Sequence, residues 1–334
     1  MFWMLIVILA GIMTGAFGLP MKYTTKWKWE NTWAMWSIWT LLIIPLIVAF
    51  LTIPHLLDVF RLSGFPVVLK VFCFGLIWGV SAIAFGFGIH YLGLGLGYSL
   101  MMGMIITIGS LFPLLTGEFG QVAPSRILIV IGAVVVILIG VVLSAWAAVI
   151  KERDLSRGGT ENPPQKKSFG KGLLICLVAG VTAPFLNFAF VYGDKIRSTT
   201  VSLGHSKTVA PNAVWAVTLL GGFIVNLAYT LFLVRKNKNG RLFLAEGTRR
   251  YFFYTFLMGV MWAGSIILYG NAAANLGAMG ASVGWAALNA TGIICANVLG
   301  LLTREWKGVG PKGMRVMALG LAVLLIGIFL VKLA

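Results

Sequence analysis

The sequence predicts an all-α integral membrane protein of ten transmembrane helices, arranged as two inverted five-helix repeats. Three observations carry that prediction. Of the 334 residues, 59% are hydrophobic and 10% charged, against about 25% charged in an ordinary soluble domain, and only lipid solvates that much apolar surface. A helix crosses the hydrocarbon core with roughly 20 apolar residues. Ten stretches qualify, at about 2–20, 32–52, 66–89, 92–115, 126–149, 170–192, 211–234, 250–273, 279–302 and 314–333. Finally, one apolar hairpin occurs twice. Residues 72–107 realign on 256–291 without a gap, bringing Phe72, Gly75, Trp78, Ser81, Ile83, Gly86, Leu92, Gly93 and Thr107 onto Phe256, Gly259, Trp262, Ser265, Ile267, Gly270, Leu276, Gly277 and Thr291.

Taken in order, the first stretch is apolar from its second residue and has no basic residues before it, so it reads as an uncleaved span rather than a secretory signal. Pro20, Pro54, Pro66, Pro113, Pro124, Pro211 and Pro311 lie near predicted span ends, where a missing N–H costs least. Pro45 and Pro184 fall inside spans and predict kinks. The glycine pairs Gly11/Gly15 and Gly93/Gly97, and the heptad-spaced Gly313, Gly320 and Gly327, mark faces where helices approach closely. The fifth and tenth spans echo each other in GAVVVILIGVV and GLAVLLIGIF. The polar segment 151–171 divides the chain. Residues 1–150 form the first repeat, 151–169 a cytoplasmic linker and 170–334 the second repeat. Five spans per half, an odd number, give the halves opposite orientations.

The net charge of +17 is topological and does not point to nucleic acid. Arg61, Lys70, Arg126, Lys195, Arg197, Lys207 and Lys332 lie on one side, and the other nineteen of the 26 Lys and Arg residues lie in the loops of the opposite side. The basic side is expected to be cytoplasmic, which places both termini outside. Cys73, Cys176 and Cys295 sit in apolar runs and read as packing residues. There is no zinc or haem spacing and no H-E-x-x-H. His55 and His205 are expected in loops, and no His is expected to pair with an acid at helical spacing. An enzyme, a resident metal and a cofactor are therefore not expected. A duplicated membrane hairpin instead fits a secondary carrier with its site between the hairpins.

No acid lies at the centre of a predicted span. Glu118 follows the fourth and Asp194 ends the sixth. Glu30, at the start of the second span, and His90, at the end of the third, are the candidate proton-coupling residues, the proton being the expected co-substrate. Trp27, Trp29 and Trp33 flank Glu30, and with Lys22, Lys26 and Lys28 they read as an interfacial belt. Asn187, Asn226, Asn271, Asn275, Asn289 and Asn297 lie within spans of the second half, and no Asn is expected within a span of the first. An amide offers both donors and an acceptor, which suits sugar hydroxyls, and aromatic faces suit a sugar's C–H faces. The candidate substrate-binding residues are Trp78, Phe85, Tyr91 and Tyr98 from the first hairpin, Trp262, Tyr269, Asn271, Asn275, Trp285 and Asn289 from the second, and Asn187. Small neutral sugars fit this set better than ions.

In LPMKYTTKWKWENTWAMWS, FGFGIHYLGLGLGYSLMMGMIITIGSLFPLLTGEFG and EWKGVGPKGMRVMALGLAVLLIGI, the chain resembles the L-rhamnose–proton symporter family of the drug/metabolite transporter superfamily. The resemblance runs over essentially the whole chain. It is most specific in K-x-W-x-W-E, with Lys26, Trp27, Trp29 and Glu30, and in the hairpin of the third and fourth spans. It implies the drug/metabolite transporter fold and an inner-membrane carrier importing a deoxyhexose with protons. The alternative is a carrier or exporter of another small polar metabolite in that superfamily, not coupled to protons.

Overall fold

Apolar run length decides where a chain enters and leaves lipid, and the helices follow it closely. The structure is a computed structural model that describes residues 1–116, 123–157 and 169–333. Glu118 and most of the linker lie outside the described residues. Among those described, ten helices are long and apolar enough to cross a membrane: Phe2–Tyr23, Trp29–Thr52, Phe65–Leu92, Leu96–Pro113, Pro124–Leu155, Phe169–Ser202, Pro211–Lys236, Arg249–Asn275, Gly280–Leu302 and Pro311–Lys332. The chain is a multi-pass membrane protein. Pro124, Pro211 and Pro311 each open a helix, the position where the fixed φ helps and no ladder bond is lost.

Both expected kinks are present. The second span runs as an α-helix over Trp29–Ser37, widens to a π-helical turn over Ile38–Ile43 and resumes at Ile44–Thr52. Pro45 supplies no N–H to the preceding turn, and a wider turn relieves its clash with the carbonyl four residues back. The sixth span breaks at Pro184 into Phe169–Thr182 and Phe185–Tyr192. It continues as Asp194–Ser202. This last piece packs against a short helix, Leu56–Ser63, that buries Leu56, Val59 and Ser63 on one face. The sequence reading placed neither piece. One expectation is corrected here: His55 does pair with an acid at helical spacing, its Nδ1 lying 3.7 Å from Asp58 Oδ2.

The third and fourth spans are joined almost without a loop. Helical backbone runs from Phe65 to Thr116 but doubles back so tightly that a Cβ on Gly97 would meet the Gly88 carbonyl oxygen at 2.8 Å. Phe85 and Tyr98 meet edge-on across this turn at 6.0 Å.

Two compact units form, and each draws on both halves of the sequence: Met1–Val80 with Phe185–Ala281, and Ser81–Pro184 with Ser282–Ala334. In the first unit, Ser265 of the eighth span donates to the Ala10 carbonyl at 2.7 Å and meets the Thr14 hydroxyl, docking the first span. The third span lies on the seventh in backbone contact. A Cβ on Gly75 would fall 1.9 Å from the Thr218 carbonyl oxygen, and one on Gly221 would fall 2.4 Å from that of Phe72. Gly75→Ala therefore forces two helices apart, and overpacking of this kind costs about 1–3 kcal/mol. The expected result is a clear drop in the thermal unfolding midpoint in detergent, with Gly86→Ala, where the added carbon meets nothing within 4 Å, as the unaffected control.

In the second unit the fifth and tenth spans pack through the heptad-spaced glycines. Gly313 faces Ile150, Gly320 faces Ser144 and Gly327 faces Ile137. The two echoing segments thus lie against each other. Cys176 is buried against Met101 and Ala179, and all three cysteines are free thiols.

Within each unit, loops meet in pairs. In the first unit the 1–2 loop docks on the 7–8 loop: Lys26 Nζ donates to the Glu246 carbonyl at 2.8 Å and Trp27 Nε1 to that of Leu242 at 2.8 Å. In the second unit the segments flanking the 5–6 and 9–10 loops meet, with Lys151 Nζ 3.3 Å from Glu305 Oε2 and the Gly310 N–H donating to Asp154 Oδ2 at 2.9 Å. These are the basic loops. Trp27 is not the belt residue expected. It is buried in a box of Phe243, Tyr251 and Phe252 at centroid distances of 5.1–5.4 Å.

Candidate functional site

In the helix beginning at Trp29, residues 29, 33 and 36 share one face, since side chains four and three apart lie above one another. All three are tryptophan. Trp29 stacks on Trp33 at 5.4 Å and 20°, and Trp33 lies 4.2 Å from Trp36. Trp36 meets Trp262 of the eighth span edge-on at 5.8 Å, and Trp262 stacks on Trp78 of the third span at 5.2 Å and 29°. Five indoles therefore form a continuous wall from the basic end of the first unit into its interior. Trp78 and Trp262, which stack on each other, are the positions that align between residues 72–107 and 256–291.

Polar atoms edge this wall. The Trp33 indole N–H donates to Asn226 Oδ1 at 3.1 Å. The Trp36 Nε1 and the Thr40 hydroxyl, one turn further on, are buried and have no hydrogen-bond partner among the described residues. A buried donor left unpaired costs about 1–3 kcal/mol, so such groups call for an explanation.

Glu30 stands at the entrance. It is the second residue of its helix and is 7% exposed. Its Oε1 accepts the Asn237 amide at 2.8 Å and the Asn239 amide at 2.5 Å. Asn31, expected outside the second span, lies in its first turn, with its Nδ2 on the Asn239 carbonyl at 3.2 Å and its Oδ1 accepting the Lys28 N–H at 3.3 Å. Asn237 closes the seventh span, and Lys238 beside it takes a left-handed φ of 54°. That conformation turns the two amides back onto the carboxylate. The first turn of the second span is thus clasped to the end of the seventh.

The same helix pair is clasped at its other end. Asn212, second residue of the seventh span, donates to Thr52 Oγ1 at the end of the second at 3.0 Å. The neighbours of the Asn271 amide fix its orientation: with its Nδ2 turned toward the surrounding acceptors it donates to the Thr208 carbonyl at 2.9 Å and to Asn212 Oδ1 at 3.2 Å. Asn275 Nδ2 donates to Thr208 Oγ1 at 3.1 Å and to the Asn271 carbonyl at 2.8 Å. The amides of Asn271 and Asn275 are thus occupied in tying the seventh and eighth spans to the 6–7 loop.

The other expected residues are distributed as follows. Asn187, Tyr269 and Asn275 are in the first unit with Glu30, Trp78, Trp262 and Asn271. The Tyr269 hydroxyl bonds Asn187 Oδ1 at 2.5 Å, and Asn187 Nδ2 donates to the Ala281 carbonyl at 3.3 Å. Both side chains are fully buried. Phe85, His90, Tyr91, Tyr98, Trp285 and Asn289 are in the second unit. His90 is exposed and meets Tyr91 edge-on at 5.6 Å. Trp285 donates its indole N–H to the Ile105 carbonyl at 3.0 Å and packs on Gly109. Asn289 bonds the Trp285 carbonyl within its own helix at 2.8 Å.

Sequence reasoning missed Trp36, Asn237 and Asn239 altogether, and it read Trp29 and Trp33 as belt residues. The 29/33/36 spacing was the available signal for the wall. Nothing local marks two loop asparagines as partners of a carboxylate some 200 positions earlier.

The family model described as L-rhamnose-proton symport protein matches residues 1–334. Curated relatives of similar sequence include the L-rhamnose-proton symporter of Pectobacterium atrosepticum, 27% identical over 318 residues, covering 93% of this chain and 91% of its own length. That of Mannheimia succiniciproducens is 26% identical with the same coverage. That of Cronobacter sakazakii is 26% identical over 328 residues, covering 96% and 93%.

Proposed function

The chain belongs to the L-rhamnose-proton symport protein family, a family of transporters rather than enzymes, and we propose that it carries L-rhamnose or a related deoxyhexose together with a proton by alternating access. The observation that carries the sugar reading is the indole wall with two unpartnered buried polar groups beside it. A deoxyhexose presents C–H faces and a methyl group to aromatic rings and hydroxyls to the Trp36 N–H and the Thr40 Oγ1. An ion would leave the apolar faces unused.

The proton belongs on Glu30. As a carboxylate, its Oε1 accepts two amide N–H groups, and charge-assisted bonds of this kind are roughly twice as strong as neutral ones. Protonation weakens both at once and loosens the hold of the 7–8 loop on the second span. Lys28 and Tyr229 are the titratable neighbours that act on this carboxyl. The Asn212–Thr52 bond at the opposite end of the same helices joins two uncharged side chains, so of the two clasps only the one at Glu30 contains a titratable group. That asymmetry supports coupling.

The matched clasps also support the inverted-repeat reading, with residues 1–150 and 170–334 as the repeats and the drug/metabolite transporter superfamily as their class. The second residue of the second span meets the end of the seventh, and the second residue of the seventh meets the end of the second. The proposed setting is the inner (plasma) membrane, with the basic loops cytoplasmic and both termini outside.

The test is uptake of labelled L-rhamnose into proteoliposomes with and without an inward proton gradient. Gradient-stimulated uptake is the expected result. Saturable uptake indifferent to the gradient would favour a carrier that is not proton-coupled. Uptake no greater than by empty liposomes, with the protein folded, would exclude rhamnose.

A further inference from the structure

We propose that Asn226 is a positioning residue for sugar recognition, setting the Trp33 and Trp78 indoles at a fixed spacing on the wall. This rests on the reading of that wall as the sugar site. Asn226 is fully buried in the middle of the seventh span. Its Oδ1 accepts the Trp33 indole N–H at 3.1 Å, while its Nδ2 donates to the Gly222 carbonyl at 2.9 Å and the Gly79 carbonyl at 3.3 Å. An indole only donates and a carbonyl only accepts, so this pattern dictates which way the amide points. Every bond has its partner, and they reach three helices.

The neighbouring turn completes the device. Gly222 lies one turn before Asn226 on the same face, and the Trp78 ring rests on it: a Cβ there would fall 2.6 Å from Trp78 Cζ3. Gly79, whose carbonyl Asn226 holds, follows Trp78 in the chain. The seventh span therefore seats one indole on a glycine and pins another by its N–H, one turn apart. If Asn226 served only to join helix backbones, its bond to Gly79 would suffice. The bond to Trp33 joins no backbone and fixes only a ring that faces the wall.

Trp33→Phe keeps a ring and removes the pinned N–H. Asn226→Leu keeps the bulk and removes the amide. Both are made in the full chain, singly and together, and L-rhamnose uptake is measured as a function of concentration in proteoliposomes. Losing one buried bond predicts a half-saturation concentration raised about fivefold to tenfold, with the maximal rate within about twofold. Because both changes break the same Trp33–Asn226 bond, the double variant is expected to be no worse than the worse single one, whereas independent residues would add. Additive effects, or a Trp33→Phe protein with unchanged half-saturation, would overturn the proposal, and the latter needs no Asn226 variant to fold. Absence of rhamnose uptake by the folded wild type overturns the rhamnose reading and this inference with it. Wild-type uptake with insensitive variants overturns this inference alone.

Discussion

Glu30→Gln is expected to abolish proton-driven accumulation while sparing exchange. A one-unit inward pH gradient supports about tenfold accumulation at one proton per sugar, since one pH unit is about 1.36 kcal/mol. In the Gln variant the internal to external sugar ratio should fall to about one, because the site can no longer change charge. Gln keeps an acceptor oxygen for Asn237 and Asn239, so the clasp persists in its weaker, neutral form. Counterflow of preloaded rhamnose, which needs no net proton movement, should therefore survive. Undiminished gradient-driven accumulation would remove Glu30 from the coupling role and return attention to His90, the other residue the sequence offered. Glu30→Ala is a poorer probe. It strands two amides, at about 1–3 kcal/mol each where they are buried, and mixes a stability defect with the coupling defect.

The second large effect is expected at Trp262. It is the hinge of the indole wall, in contact with Trp36 of the second span and Trp78 of the third. Trp262→Ala removes the central ring. Truncating a buried aromatic anchor of a binding surface costs about 2 kcal/mol or more, so half-saturation for L-rhamnose should rise roughly 30-fold. Trp285→Ala gives the contrast. That indole N–H is taken by the Ile105 carbonyl, so its loss should lower the unfolding midpoint without a selective change in sugar affinity. Similar affinity losses in both variants, with equal unfolding midpoints, would contradict the placement of the sugar on the wall.

Much of this site was visible in the chain. Trp78 and Trp262 stand out because the hairpin repeats, and Glu30 because it is an acid among tryptophans at a span entrance. Trp36 was hidden by its setting, since one more aromatic residue inside an apolar run changes neither composition nor span length. Asn271 and Asn275 looked like ligands because a buried amide must bond something. The structure supplies Thr208 and Asn212 as their partners, and no local pattern encodes those. Asn187 and Tyr269 likewise bond each other across 82 positions.

The sequence by itself determined that ten helices cross lipid, about where each lies, and where Pro45 and Pro184 interrupt them. Those outcomes rest on transfer free energies and backbone constraints that each residue carries wherever it sits. Tertiary structure alone decided which helix faces meet. In lipid the hydrophobic effect no longer sorts one apolar face from another, so close packing and a few polar bonds choose the partners. Gly75 on Thr218, Asn226 on Trp33 and Glu30 between Asn237 and Asn239 are such choices. Each depends on residues more than a hundred positions away.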